Sequence, residues 1–150
     1  MEHYTQSLLY ELELTSRILR EAGRSLFEKE GFPITPDEFI ILDYLYMDPN
    51  IIQMELAKQI LKGRAHTGKF LKSLEEKKLI TRTPVIQESK LVMKLTITPE
   101  GLKLYKQICD CTDKFVQEAN ARISVDIAGL ITALKTIRED AVKKFDIKFD

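Results

Sequence analysis

Positions Leu8, Leu12, Thr15, Leu19, Ala22 and Leu26 recur every three or four residues. That period predicts a long amphipathic helix over residues 4–29, closed by Gly31 and Pro33. Thr35, Pro36 and Glu38 then supply an N-cap, a proline at the first helical position and an acid three places after the cap, a strong helix start. This second helix carries Phe39, Ile40, Leu42, Leu45 and Tyr46 and stops near Asp48-Pro49-Asn50. A short third helix over about 52–60 has Leu56, Ala57 and Ile60 on its apolar side. Gly63 separates it from a fourth, about 64–77, whose Phe70, Leu71 and Leu74 face inward. The period then shortens to two. One β-like run is Leu79-Ile80-Thr81-Arg82-Thr83. The other spans 90–98, where Leu91, Met93, Leu95 and Ile97 alternate with Val92, Lys94 and Thr96. Residues 84–89 are expected to form the hairpin tip. Thr98-Pro99 opens a fifth helix to about Arg122, with Gly101 where a full capping box would place an acid. Ser124 is the expected cap of a last helix ending near Phe145.

The expected fold is therefore mostly α with a small β-hairpin, in the order α-α-α-α-β-β-α-α. Helices three and four read as a helix-turn-helix and the hairpin as its wing. Residues 34–98 form this winged lobe, in one subunit that spans 1–150. The terminal segments 1–33 and 99–150 carry apolar stripes longer than the lobe can cover. In the last helix, Ile123, Ile127, Leu130, Leu134, Ile137, Ala141 and Phe145 are spaced 4, 3, 4, 3, 4 and 4 apart. These residues, with Leu8 and Leu12, are expected to meet a second copy of the chain in a two-fold dimer.

Charge sharpens the picture. Net charge is zero, with 23 basic and 23 acidic residues, so the whole-chain balance carries no nucleic-acid signal. The distribution does. Residues 58–82 hold eight Lys or Arg against two acids, whereas residues 31–57 hold five acids and no base. The basic excess falls on the helix-turn-helix and the start of the wing. The 44% apolar and 31% charged composition argues against disorder, and six Gly and five Pro argue against a linker-rich chain. Two cysteines fit a reducing cytoplasmic setting better than a disulfide scaffold. No 18-residue apolar run exists and the Met1-Glu2-His3-Tyr4 start does not read as a secretory leader, so no membrane partner is expected.

Four stretches together resemble the multiple antibiotic resistance regulator (MarR) family of bacterial winged-helix transcription factors. They are Ile34-Thr35-Pro36-Asp37-Glu38-Phe39, Gln53-Met54-Glu55-Leu56-Ala57, the run from Phe70 to Ile80, and Leu95-Thr96-Ile97-Thr98-Pro99-Glu100-Gly101. The likeness covers nearly the whole chain. It implies a homodimeric regulator, acting as a repressor, that places the fourth helix in successive major grooves of a pseudo-palindromic operator. It also implies a small anionic aromatic ligand bound between the dimer helices and the DNA-binding lobe. Two positions depart from the family: Lys78 stands where a Gly often precedes the wing, and Ser89-Lys90-Leu91 replaces the Asp-x-Arg of many wings.

The candidate DNA-binding residues follow from the helix-turn-helix geometry. With Phe70, Leu71 and Leu74 inward, Ala65, His66 and Lys69 lie on the opposite surface, flanked by Arg64 and Lys72. Arg64 suits bidentate pairing with guanine, and His66 a base edge or a phosphate. Lys58, Lys62, Lys72 and Arg82 suit phosphates. Gln53, Lys90 and Thr67 complete the set, Thr67 being equally compatible with a core position. The implied ligand site draws on Arg17 or Arg20 for a carboxylate and on Phe39, Tyr44 and Tyr105 for walls. The plainer alternative is that Arg17, Arg20 and Arg24 pair with Glu13, Glu21 and Glu28 along the helix. Asp37, Glu38 and Asp43 have no obvious partner and read as dipole charge and surface.

Cys109 and Cys111, two apart on a helix, point in different directions. Burial is the plain reading, and a thiol-based redox switch the sharper one. The two histidines, 63 residues apart, and the absence of HExxH, GxSxG, P-loop or paired CxxC motifs argue against an enzyme, a metal site or a cofactor. A winged-helix protein-interaction module is the alternative to a DNA-binding regulator.

Overall fold

The computed structural model describes residues 3–148. Met1, Glu2, Phe149 and Asp150, which fall in the terminal segments read above and include part of the non-leader start, lie outside the described residues. After a short 3₁₀ turn at Tyr4–Gln6, the helices are α1 (Leu8–Glu30), α2 (Pro36–Met47), α3 (Gln53–Gln59) and α4 (Arg64–Glu76). An antiparallel hairpin, β1 (Ile80–Gln87) and β2 (Lys90–Ile97), follows, then α5 (Pro99–Ala121) and α6 (Ile127–Phe145). This is the expected order.

The caps explain why most boundaries were legible. Gly31 ends α1 in the left-handed region at φ 69°. Thr35 Oγ1 accepts from the Glu38 amide at 3.2 Å, and the Glu38 carboxylate accepts from the Thr35 amide at 2.8 Å. Two boundaries differ from expectation. Asp126, not Ser124, caps α6, accepting from the Ala128 and Gly129 amides at 3.1 Å each. A carboxylate satisfies two amides and complements the helix dipole, which a hydroxyl does less well. Ile123 therefore precedes α6 and is not part of its stripe. The hairpin also runs further than expected: Pro84 pairs opposite Met93 inside β1, and the tip is only Glu88-Ser89. Both tip residues have positive φ, 48° and 62°. That is the primed turn of a tight hairpin, built here without the usual Asn or Gly. Pro84 is tolerated because each strand of a two-stranded sheet keeps one free edge.

The core lies in the central lobe. Ile41, Leu42 and Leu45 of α2, Leu56 of α3, Leu71 and Leu74 of α4, Ile80 and Leu95 of the hairpin and Ile108 of α5 are all within 1% of full burial. From α1 only Phe27 is buried, and α6 buries no residue. The terminal stripes consequently remain open: Leu8 is 63% exposed, Leu19 55%, Leu130 42% and Phe145 69%.

The acids expected to lack partners have them. Asp37 lies 3.3 Å from Lys62 Nζ. Asp43 accepts from the Tyr105 hydroxyl at 2.7 Å. Glu38 is 2% exposed and accepts from Lys77 Nζ at 3.0 and 3.1 Å. Sequence spacing could not show this, since Lys77 is 39 residues away.

The α4-to-β1 passage uses Lys78 at φ 60°, with the Leu79 amide returning to the Leu74 carbonyl at 2.9 Å. A lysine in this conformation costs about 1 kcal/mol relative to glycine. Gly101 is a different case. A Cβ added there would stand 2.1 Å from the Leu79 carbonyl oxygen, so α5 starts in direct contact with that backbone. Thr98 Oγ1 accepts from the Gly101 amide at 3.0 Å and donates to the carbonyls of Lys78 and Leu79.

Gly101→Ala should destabilise the protein by about 3 kcal/mol through this overpacking, read by urea unfolding. Glu38 gives a pH signature. Burial raises its pKa, but contacts from Ser73, the Thr35 amide and Lys77 outweigh burial and hold it below the usual 4.5. Its contribution is complete above that value and is lost as pH falls through the lower, folded one. Glu38→Gln should cost about 2 kcal/mol at neutral pH, and the gap to wild type should close as unfolding is measured progressively below pH 4.5.

Candidate nucleic-acid interface

Helices α3 and α4 meet through a short turn with Leu61 at φ 52° and Gly63 as the N-cap of α4. The Lys62 amide donates to the Ala57 carbonyl at 3.3 Å, closing α3. Beneath the turn, the Thr67 hydroxyl donates towards the Gly63 and Lys62 carbonyls at 3.2 and 3.4 Å. Thr67 is fully buried. It belongs to the core and is not an interface residue, which corrects the expectation that included it.

With Leu71 and Leu74 buried on one side, α4 turns Arg64, Ala65, His66, Lys69 and Lys72 outward. Lys72 is loosely paired with Glu76, at 3.8 Å. Gly68 sits on the same helix, and a Cβ added there would meet nothing within 4 Å, so no close packing with α3 requires the glycine. No side chain caps the first turn of α4.

The other candidates divide. Lys58 is exposed on α3 and Lys90 is exposed beside the hairpin tip. Gln53 is half-buried in a groove of about 250 Å³ between α3, the start of α4 and β2, which Arg64 and Leu91 also line. Lys62 is turned towards α2: besides its ion pair with Asp37, its ammonium lies 5.6 Å from the Phe70 ring centroid. Arg82 is engaged with Glu75, Nε to Oε2 at 2.9 Å. The hydrogen bonds from Arg82 hold the Glu75 carboxyl below its usual range. Lys62 and Arg82 thus brace the lobe rather than stand free for phosphates. Sequence reasoning missed Met54 and Met93, which line the Gln53–Arg64 groove. The alternation in β2 put Met93 on the inner wing face, but nothing local placed α3 beside it.

The five candidate ligand-site residues do not come together. Phe39 and Tyr105 stack with centroids 5.7 Å apart, and Tyr46 stacks on Tyr105 at 4.7 Å, so Phe39 and Tyr105 belong to an aromatic layer of the lobe. Tyr44 faces elsewhere, its hydroxyl donating to the Gln59 carbonyl at 3.4 Å. Arg17 is paired with Glu13 on the surface, and Arg24 pairs with Glu21 at 3.3 Å, as the plainer alternative had it. Of the five candidates, Arg20 alone lines the large cleft between α1 and α2, of about 790 Å³; Arg24 lines it too, and its apolar walls are Leu12, Leu19, Ile40, Phe70 and Leu134. Cys109 and Cys111 are both half-buried and free. Burial pushes the Cys109 thiol up, and nearby Asp113, Asp43 and Asp110 add to this against a hydrogen bond with Tyr105. Such a thiol holds little thiolate. Among the described residues no helix is long and apolar enough to cross a membrane.

A buried helix-turn-helix, an outward basic helix and a two-stranded wing between long terminal helices define the winged helix-turn-helix class. More narrowly, the same succession of elements occurs in the solved structures of MepR, SlyA and MarR. No family model matches the chain. An uncharacterized HTH-type transcriptional regulator of Bacillus subtilis, YybA, is 31% identical over 96 residues, which cover 59% of this chain and 63% of YybA. The matched stretch is thus somewhat under two thirds of that relative's length. Among solved structures, Staphylococcus aureus MepR in complex with DNA superposes with a TM-score of 0.78 at 22% identity, covering 93% of this chain and 99% of MepR. The transcriptional regulator SlyA gives 0.77 at 22%, covering 94% and 98%. Staphylococcus aureus MarR, in complex with salicylate and kanamycin, gives 0.70 at 19%, covering 96% and 94%. At these identities the structures establish the fold.

Thr67→Val removes the buried hydroxyl and keeps the shape. It should lower unfolding stability by about 1 kcal/mol and leave the outward face of α4 unchanged, as two-dimensional NMR of the Arg64–Lys72 amides would report.

Proposed function

We propose that this chain is a sequence-specific, double-stranded-DNA-binding transcriptional regulator, acting in the cytoplasm as a homodimeric repressor that a small anionic aromatic molecule releases. The observation that carries the reading is α4: Arg64, His66, Lys69 and Lys72 exposed on one surface while Leu71 and Leu74 anchor the other. In a helix-turn-helix this second helix lies in the major groove, with its first residues at base edges. Arg64 is at the leading end and takes the base-reading role, whereas Lys72, a turn or more further on, takes a phosphate.

The dimer rests on the uncovered stripes of the terminal helices. Leu8, Leu130 and Phe145 are exposed and Leu12, Ile127, Leu134, Ile137 and Ala141 only half-buried, and a second copy would complete their cover by symmetry. Two α4 helices would then address half-sites roughly 34–36 Å apart on a pseudo-palindromic operator. The α1–α2 cleft, with Arg20 at its edge, is the place for the effector, because it lies between the terminal helices and the lobe. MepR captured on DNA and MarR in complex with salicylate support the two partner classes.

One observation favours a second reading. Ile86 and Leu91 are cross-strand partners next to the wing tip and are 81% and 75% exposed. An exposed apolar pair suits a protein partner better than a phosphate backbone, so a protein-interaction module is the alternative.

Selection of bound sequences from a random duplex pool, followed by titration at several salt concentrations, separates the two. Arg64→Ala should lose about 1–3 kcal/mol and relax preference at one base pair, while Lys72→Ala should lower the salt slope with little change in preference. Salt-insensitive or absent duplex binding by wild type would favour the interaction module. Unchanged binding by both variants would mean that α4 does not dock.

A further inference from the structure

Separately from the α1–α2 cleft, α6 faces the end of α3 across a second cleft of about 700 Å³. Lys58 of α3 and Lys135, Arg138 and Lys143 of α6 line it, with Glu139 the one acid among its lining residues. Two separate elements therefore turn four cations towards one concavity. None of the four has a carboxylate within 4 Å among the described residues, although Glu139 lies one helical turn beyond Lys135, where an i,i+4 pair is ordinarily available. All four side chains belong to exposed residues, so they are free to swing onto a common guest. Tyr44 and Val142 give the cleft a partly apolar wall, and the Tyr44 hydroxyl, bonded to the Gln59 carbonyl, fixes that wall against the end of α3.

We infer that this α3–α6 cleft is a binding site for a small multiply charged anion, a polyphosphate or polycarboxylate. Like charges gathered in a concavity raise the local potential and concentrate counter-ions there. A monovalent ion would leave most of the excess unmatched, whereas a guest with three or more negative groups matches the net positive charge of the four cations and Glu139. The volume is that of a small-molecule site and far smaller than a duplex. The arrangement differs from the α1–α2 cleft in its charge, since there Arg20 and Arg24 are balanced by Glu28 and Asp37. The assignment does not depend on the DNA reading: Lys135, Arg138 and Lys143 lie on α6, and Lys58 alone is shared with the candidate DNA-binding residues.

The test uses the full chain with tripolyphosphate and citrate as probes, by isothermal titration calorimetry and thermal melting at ionic strength matched with sodium chloride. Wild type should bind at least one probe and melt at a higher temperature in its presence. R138Q/K143Q changes only exposed side chains and should fold with an unchanged melting temperature without the probe, while binding it at least tenfold more weakly. K135Q alone should weaken binding by a smaller factor. Absence of binding by wild type, or equal binding by R138Q/K143Q, would overturn the assignment. So would a loss of duplex DNA affinity by R138Q/K143Q without any effect on the probes, since the cleft would then be a contact to a phosphate backbone. Failure of wild type to bind duplex DNA, with the probe results intact, would count against the regulator reading alone.

Discussion

A single buried carboxylate sets the geometry of the lobe. Glu38 receives the amide that opens α2 and the ammonium of Lys77, the C-cap residue of α4. Its position fixes where α2 begins and where α4 ends, and the two leucines of α4 pack into the space thus defined. Lys77 also places positive charge at the negative end of the α4 dipole. Removing either partner leaves a charge near the core, which is why the pair is costly to break even though its net gain over an apolar pair is small. The direction in which α4 presents Arg64 and His66 is inherited from this contact.

The lobe is satisfied and the terminal helices are not. Every buried side-chain nitrogen and oxygen of the described residues has a partner. The central elements supply nearly all of the buried core, while α1 contributes one buried residue and α6 none. In the homodimer proposed above, the lobe's shape would be decided within one chain and the spacing between lobes by the contact between chains. A ligand bound along the extensions would then sit where a small change in packing has long leverage.

Much of this was legible because the signals were local. Thr35-Pro36 with Glu38, Gly31 and Thr98-Pro99 each mark a boundary through hydrogen bonds that span three or four residues, and the two-residue alternation of Leu91, Met93, Leu95 and Ile97 marks a strand. The winged helix-turn-helix followed from their order. The misses share the opposite property. The hairpin tip at Glu88-Ser89 uses residues with no turn signature, so its register was invisible. Thr67 and Arg82 are basic-face candidates by position but are taken up by partners, the Gly63 carbonyl and Glu75, that only the packed structure brings close. The aromatic ligand walls failed for the same reason: Phe39 and Tyr105 meet across 66 residues and stack on each other.

The notch at Gly68 has a dynamic consequence. Glycine in mid-helix weakens it by about 1 kcal/mol relative to alanine, and the turn before it starts without a side-chain cap. The leading half of α4 is thus held less firmly than the trailing half, which Leu71 and Leu74 pin to the core. Its amide protons should exchange with solvent by local fraying, before the lobe as a whole opens. Any partner that grips this end must first quiet it, trading some affinity for the capacity to adjust its fit.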